Sequence, residues 1–352
     1  MLKFSEYVSL GHPDKIADYI SEYLLDRYIE RDKGTKYAVE VQIKDNFVTL
    51  GGEVSSNADI TNAEIDRFVR EAVNEIGYTK EYQNKWGKEN TICADDLEIV
   101  NHIGRQSREI AQGVYDNDGW GDQGIFFGYA EPNKDTEGMP YDHTMAKRLN
   151  KALFESGLGG LDIKTLVATN NNKIEQIIAA VPTLDDNTDK IKDFIRGQIK
   201  GDYKLIVNGT GSYKAHSSIA DCGVTGRKLA VDFYGGNEKV GGGACFSKDG
   251  SKADLTLNLL ARHIAKKKAF EYGESVETAI ACCIGQKNIL VSTHIVDFKH
   301  TPLEEEILSV SPSELIKKFE LDKPIYASMC RWGIFGEFQK DKQWENIFLK
   351  DD

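Results

Sequence analysis

The stretch that decides the fold runs Asp221-Cys-Gly-Val-Thr-Gly-Arg-Lys228, Leu229-Ala-Val-Asp-Phe-Tyr234, Gly235-Gly236, and then Gly241-Gly-Gly-Ala-Cys-Phe-Ser-Lys248-Asp-Gly-Ser-Lys252-Ala-Asp254. Glycine lets a backbone take left-handed angles and approach a ligand closely. Turns that carry Arg227, Lys228, Lys248 and Lys252 can therefore surround a polyanion with N–H groups and positive charge. Asp249 and Asp254 among those lysines would repel a bare polyphosphate, but can hold the Mg²⁺ that accompanies one. Leu229–Tyr234 is expected as a strand between these turns, and Leu255–Phe270 as a helix after them.

A second stretch near the N-terminus points the same way. Residues 9–15 read Ser-Leu-Gly-His-Pro-Asp-Lys and run into an amphipathic helix with Ile16, Ile20, Leu24 and Tyr28 at four-residue steps. Pro13 suits the first helical position and His12 the cap. A helix N-terminus bearing His12 and Lys15 is a ready anion site, and Asp14 adds a metal-type oxygen to the same turn.

The 352 residues carry a net charge of −12, with 40% hydrophobic and 28% charged residues. That balance argues against a general nucleic-acid or membrane surface, so a polyanion site must be a local basic pocket and the substrates small. The six cysteines (Cys93, Cys222, Cys245, Cys282, Cys283 and Cys330) have no metal-finger spacing and read as free thiols of a reducing compartment. With no signal-peptide pattern and no apolar run of membrane length, the expectation is a cytoplasmic protein.

Hydrophobic periodicity fills in the rest. Lys36–Lys44 and Phe47–Val54 alternate around Asp45-Asn46 as a hairpin, with Glu40 inside one strand and Glu53 at the end of the other. Thr61 and Glu64 form a capping box for a helix closed by Gly77, and 78–90 reads as a loop. Between Gln106 and Gly128 lies a Gly- and Asp-rich segment suited to closing over a site. Helix, hairpin, helix and strand follow near Tyr141–Glu155, Lys164–Val181, Thr188–Lys200 and Tyr203–Val207, and the last third repeats this order with strands at Thr278–Ile284 and Ile289–Val296. The reading is an α+β protein of three similar helix-and-sheet domains in pseudo-threefold arrangement, with boundaries at 1–108, 109–217 and 218–352.

Taken together, Gly11-His-Pro-Asp-Lys15, Gly51-Gly-Glu53, Gly121-Asp-Gln-Gly124, Asp221–Lys228, Tyr234-Gly-Gly, Gly241-Gly-Gly-Ala and Lys248-Asp-x-Ser-Lys-x-Asp254 resemble S-adenosylmethionine synthetases along nearly the whole chain. The resemblance implies attack of the methionine sulfur on C5′ of ATP, with tripolyphosphate leaving and then cleaved to phosphate and pyrophosphate. It implies that His12 contacts the triphosphate near the departing oxygen, with Arg227, Lys228 and Lys248 neutralising the chain. Asp14 and Asp254 would hold two Mg²⁺ and Glu40 would serve a K⁺ site. Asp162, Lys164 and Thr165 occupy the family's nucleotide segment, where the aspartate holds the ribose. Tyr213 would stack on adenine with Ala244 below it. Glu53, Gln106, Asp122 and Lys252 would fix the amino-acid end of methionine, with Asp221 at its junction with adenosine. It also implies a homo-oligomer, usually a homotetramer of dimers with sites at the dimer interface.

Some positions depart from that pattern. Ser212 stands where the family has an arginine beside the adenine, and 213–220 replaces a glycine-rich run, with Lys214 or His216 as possible substitutes for the lost charge. Val240 and Leu255 replace a histidine and an arginine, and the 106–122 loop is shorter than usual. The alternative to an active synthetase is a silent homologue that supports an active one.

Overall fold

The structure, a computed structural model, describes residues 2–105, 118–236 and 238–347. Its strands form three four-stranded sheets, in the orders β4-β3-β2-β9, β1-β6-β7-β8 and β12-β11-β10-β5. The first contains β2 (Lys36–Lys44), β3 (Phe47–Ser55), β4 (Glu98–Arg105) and β9 (Gly223–Val224). The second contains β1 (Leu2–Val8), β6 (Lys164–Asn170), β7 (Lys173–Ala180) and β8 (Lys204–Val207). The third contains β5 (Gly124–Ala130), β10 (Val276–Cys282), β11 (Asn288–Ile295) and β12 (Pro302–Ser309).

The repeat expected from element order is present, with a twist. Each sequence block runs from a lone strand through a long helix into a hairpin and a fourth strand. The long helices are α1 (Pro13–Arg31), α4 (Tyr141–Ser156) and α6 (Ala253–Tyr272). Yet each lone strand pairs with the hairpin of another block: β1 with β6, β5 with β10, and β9 with β2, all antiparallel. One strand therefore crosses each sequence boundary in a closed cycle, so the blocks are separate in sequence and interlocked in structure. The third block departs from the other two at its far edge. There β12 lies antiparallel to β11, while β4 and β8 run parallel to their neighbours. Helices α2 (Asn62–Ile76) and α3 (Lys80–Trp86) lie between β3 and β4, and α5 (Thr188–Gln198) lies between β7 and β8. A crossover of that size permits a parallel return; the short turn from β11 to β12 permits only an antiparallel one.

Several local readings change. The segment expected as a loop over 78–90 contains α3, capped by the Thr79 hydroxyl. Leu229–Tyr234 is not a strand: Leu229–Asp232 makes one helical turn, and against Phe335 the Phe233 ring packs tilted at 5.1 Å and the Tyr234 ring stacks at 5.3 Å. Side-chain packing decided the conformation there, overriding β propensity. Helix α1 is not a surface amphipathic helix, because its polar residues Asp14, Lys15, Asp18, Ser21, Glu22 and Asp26 are buried along with its apolar stripe. Its cap is as expected, with His12 accepting from the Asp14 N–H and Pro13 in the first turn. The capping box of Thr61 and Glu64 is formed.

Each long helix covers one face of a sheet. The opposite faces retain apolar residues. On the third sheet, Ile125, Ala281, Leu290 and Ile307 lie in register across the four strands, and all but the alanine are more than half exposed. Leu2 and Phe4 of β1 are also more than half exposed.

Candidate active site

The N-terminus of α1 is wedged between two backbones. A Cβ on Gly11 would sit 2.3 Å from the Leu161 carbonyl oxygen, and one on Gly223 would sit 2.1 Å from the Pro13 oxygen. Both positions require glycine, and the close approach sets the helix end against the 161–164 segment on one side and 223–228 on the other. The Tyr78 hydroxyl secures the turn by donating to the Gly11 carbonyl at 2.7 Å.

A first group of expected residues converges here. Asp14 accepts from the Val224 N–H at 2.9 Å and from Lys228 Nζ at 2.5 Å, with Arg227 Nε at 3.7 Å. Burial opposes its charge, but the bonds from Lys228 and Val224 outweigh that and hold its carboxyl below the usual range. Burial, with Lys228 and Lys164 beside it, pulls the His12 pKa down to about 3. The ring is therefore neutral, and because Nδ1 accepts from Asp14 at 3.1 Å, its proton is on Nε2. Asp162 is nearly buried and accepts from the Ser217 N–H at 3.3 Å, with its Oδ1 lacking a hydrogen-bond partner. Burial raises its pKa to about 7 against the pull of Lys164. Asp221 and Lys228 lie close enough to influence it. Glu40, on β2, accepts from the Thr225 hydroxyl, and the Thr225 N–H bonds the Val41 carbonyl at 3.0 Å.

A second group forms around the N-terminus of α6. Asp254 accepts from Lys248 Nζ at 2.5 Å and from the Gly243 N–H at 2.7 Å. The Cys282 thiol donates to the Asp122 carbonyl at 3.3 Å, and Asp122 and Asp254, after burial, push that thiol's pKa up to about 11. Lys248 bridges to Ala38, which is itself in register with Glu53, so Lys248 and Glu53 flank Ala38 on one sheet face. The two groups meet where Gly226 touches Ala244: a Cβ on Gly226 would lie 2.5 Å from that methyl.

Other expected residues are placed elsewhere. Lys15 turns into the interior, with Nζ 2.8 Å from Asp232 and 3.3 Å from Asp18, because those buried acids outcompete the helix end for it. Asp249, expected as a metal ligand, is a turn former whose oxygens are taken by the Tyr37 and Ser251 N–H groups and by Lys252. The Thr165 hydroxyl faces α4 and donates to the Ala146 carbonyl at 2.8 Å. Ser212 bonds Asp186, and Tyr213 is half-buried beside it. His216 cannot replace a lost phosphate contact, because its ring nitrogens meet the Tyr82 hydroxyl and the Lys214 carbonyl, both at 2.7 Å. Gln106 and the segment through Asn117 lie outside the described residues. Tyr78 and Thr225 were missed; an isolated tyrosine gives no sequence signal, whereas a threonine between two glycines of a basic motif does.

Among the described residues no three His, Cys, Asp or Glu side chains converge as a metal site. Asp14 and Asp254 each offer a carboxylate already shared with a lysine. Mg²⁺ keeps much of its water and is commonly held by one or two carboxylates plus substrate phosphates. The residues therefore suit a metal that arrives on a phosphate chain.

Models of the S-adenosylmethionine synthetase N-terminal and C-terminal domains match residues 1–108 and 215–346. The chain is 33% identical to the S-adenosylmethionine synthase of Mycoplasma capricolum over 97% of its own length and 94% of that protein. To the S-adenosylmethionine synthase of Desulfosudis oleivorans it is 31% identical over 99% and 96%. A solved structure described as an unusual S-adenosylmethionine synthetase from Campylobacter jejuni superposes with a TM-score of 0.87 at 30% identity, covering 99% of this chain and 97% of that one. With His12, Asp14, Arg227, Lys228, Lys248 and Asp254 all in the matched regions, and identity at this level along nearly the full length, the chain belongs to the S-adenosylmethionine synthetase family.

Proposed function

We propose that the chain makes S-adenosylmethionine from ATP and L-methionine, the sulfur displacing tripolyphosphate from C5′, and that it then cleaves the tripolyphosphate to phosphate and pyrophosphate. The observation that carries this reading is the convergence of neutral His12, Asp14, Lys164, Arg227 and Lys228 at the buried N-terminus of α1. A thioether is a weak nucleophile and triphosphate a highly charged leaving group, so the protein must align sulfur with C5′ and stabilise charge growing on the departing oxygen. His12 does so as a hydrogen-bond donor through Nε2–H, since a ring that loses its charge only near pH 3 is not an acid at neutrality. Lys228 and Lys248 exchange their carboxylates for phosphate oxygens, which frees Asp14 and Asp254 to hold Mg²⁺. The metal, when bound, neutralises phosphate charge.

Asp162 takes the ribose with its open Oδ1, and Tyr213 stacks the adenine above Ala244. Glu53, Gln106, Asp122 and Lys252 take the amino-acid end of methionine, Asp221 its junction with adenosine, and Glu40 with Thr225 a K⁺ ion. A second copy of the chain covers the apolar sheet faces around Ile125, Leu290 and Ile307, bringing the Lys248 group of one protomer against the His12 group of the other.

The test is incubation with ATP, L-methionine, Mg²⁺ and K⁺, followed by quantification of S-adenosylmethionine, phosphate and pyrophosphate. Equal amounts of the three are expected. Phosphates without S-adenosylmethionine would mean methionine is the wrong nucleophile, and no turnover would favour the silent homologue.

A further inference from the structure

Four acids recur along α1 at the four-residue spacing that places side chains on one helix face: Asp14, Asp18, Glu22 and Asp26. All are buried, and each accepts backbone N–H groups from the last third of the chain. Asp14 takes Val224 at 2.9 Å, Asp18 takes Gly226 at 2.9 Å, and Glu22 takes Ser247 at 2.5 Å. Asp26 takes Tyr326 and Ala327 at 2.9 and 3.0 Å, at the start of the short helix α7 (Tyr326–Arg331).

The two middle rungs share a feature the outer ones lack. Gly226 has φ of +77° and Ser247 has φ of +72°, so each carboxylate grips a residue in the left-handed region. In both cases the next residue is a cation of the site: Arg227 and Lys228 after Gly226, Lys248 after Ser247. A left-handed angle is free for glycine but strained for serine. The Ser247 hydroxyl does not compensate for that strain, since its Oγ is buried without a hydrogen-bond partner. What keeps Ser247 in place is backbone bonding: its N–H to Glu22 and its carbonyl accepting from Val39 at 3.1 Å.

We infer that Glu22 and Asp18 are positioning residues that set the two left-handed turns from which Lys248 and the Arg227–Lys228 pair reach the phosphate chain. Helix α1 thus acts as a ruler that fixes both cation turns, the Arg227–Lys228 turn beside its own His12 and the Lys248 turn for the site it completes with the other protomer. The inference rests on the synthetase reading above. Burial pushes the Glu22 carboxyl well up from its ordinary value; the bond from the Ser247 N–H needs only an acceptor oxygen, which a glutamine amide also supplies.

The test compares kcat and KM for S-adenosylmethionine formation, and the rate of cleavage of added tripolyphosphate, in the full-length wild type and its variants, alongside thermal melts. Glu22→Ala is expected to lower kcat about tenfold or more in both reactions, with KM changing less, because a displaced cation costs more in the transition state than in binding. Glu22→Gln should restore kcat. Asp26→Ala removes the rung that serves α7, and should lower the melting temperature while leaving kcat of the folded enzyme unchanged. Should Glu22→Ala not fold, Ser247→Val reads the same turn from the other side: a β-branched residue resists a positive φ, so kcat should fall, whereas Ser247→Gly should keep it. Wild-type kcat in folded Glu22→Ala or in Ser247→Val overturns the inference, as does a Glu22→Gln as impaired as the alanine variant. A wild-type chain that makes no S-adenosylmethionine would instead refute the synthetase reading.

Discussion

Two regions of the molecule concentrate positive charge and use it in opposite ways. On α6, Arg262 and Lys266 are buried and spend their donors on the protein. Arg262 bonds Glu345 twice and the carbonyls of Tyr129, Gly138 and Glu137, and Lys266 bonds Glu345 and Glu137. At the end of α1, Lys228 has a single carboxylate partner, and the Arg227 side chain is half exposed. A cation whose donors are exhausted by its own chain holds the fold together, while one with donors left over awaits a ligand. Lys15 shows that sequence context does not decide the matter, since it sits in the same motif as His12 yet belongs to the first class.

The sharpest way to break this contrast is Glu345→Ala, which strands Arg262 and Lys266 in the interior together. Removing one partner of a buried ion pair costs about 3–5 kcal/mol, and here two cations lose their shared carboxylate. Urea denaturation should show a loss of that size, with the surviving folded fraction still active. A variant as stable as wild type would mean the cluster is not holding the fold.

On the other side of the comparison, Lys248→Ala should leave the melting curve almost untouched, since its partner Asp254 is itself partly exposed, and Lys228→Ala should cost only the unpairing of buried Asp14. Each should lower kcat by about 10²–10³, the usual effect of removing one group that stabilises transition-state charge. The decisive readout is the pairing of near-native stability with lost turnover in Lys248→Ala; a parallel fall in both would place that lysine with Arg262.

The difference between the two regions also explains what the sequence could convey. Gly11, Gly223 and Gly226 announce themselves because only glycine fits where backbones touch, so the motifs around them were readable. The helix-and-hairpin repeat was readable from periodicity. The exchange of β1, β5 and β9 between blocks was not, since β pairing across more than a hundred residues leaves no local pattern, and β9 is only two residues long. The inward turn of Lys15 depends on Asp232, which is 217 positions away. The acids of α1 lay open to view at regular spacing, but that spacing matches a solvated helix face, and only burial distinguishes the two.

A third test concerns Asp162, whose carboxyl burial raises to about 7. An unfolded aspartate ionises near pH 3.9. Between those values the folded chain holds a proton that the unfolded chain has released, so this group's contribution to stability falls as pH rises from about 4 to about 7. Asp162→Asn should remove that slope. Ionisation also converts Oδ1 into a full acceptor for ribose hydroxyls, so adenosine or ATP should bind more tightly as pH rises through about 7 in the wild type and not in the asparagine variant. Calorimetric titration across that range measures it, and a flat wild-type profile would detach Asp162 from the ribose.

The smallest expected effect separates two residues that are adjacent in sequence. Lys164 and Thr165 both fall in the nucleotide segment, but successive residues of a strand face opposite sides of its sheet. Lys164 is exposed and close enough to His12 to depress its pKa, whereas the Thr165 hydroxyl is buried against the Ala146 carbonyl. Thr165→Val keeps the shape and removes one hydrogen bond, which should cost about 1 kcal/mol of stability and leave KM for ATP unchanged. A raised KM at intact stability would show that the hydroxyl turns toward the nucleotide during turnover, and would move Thr165 from the scaffold into the site.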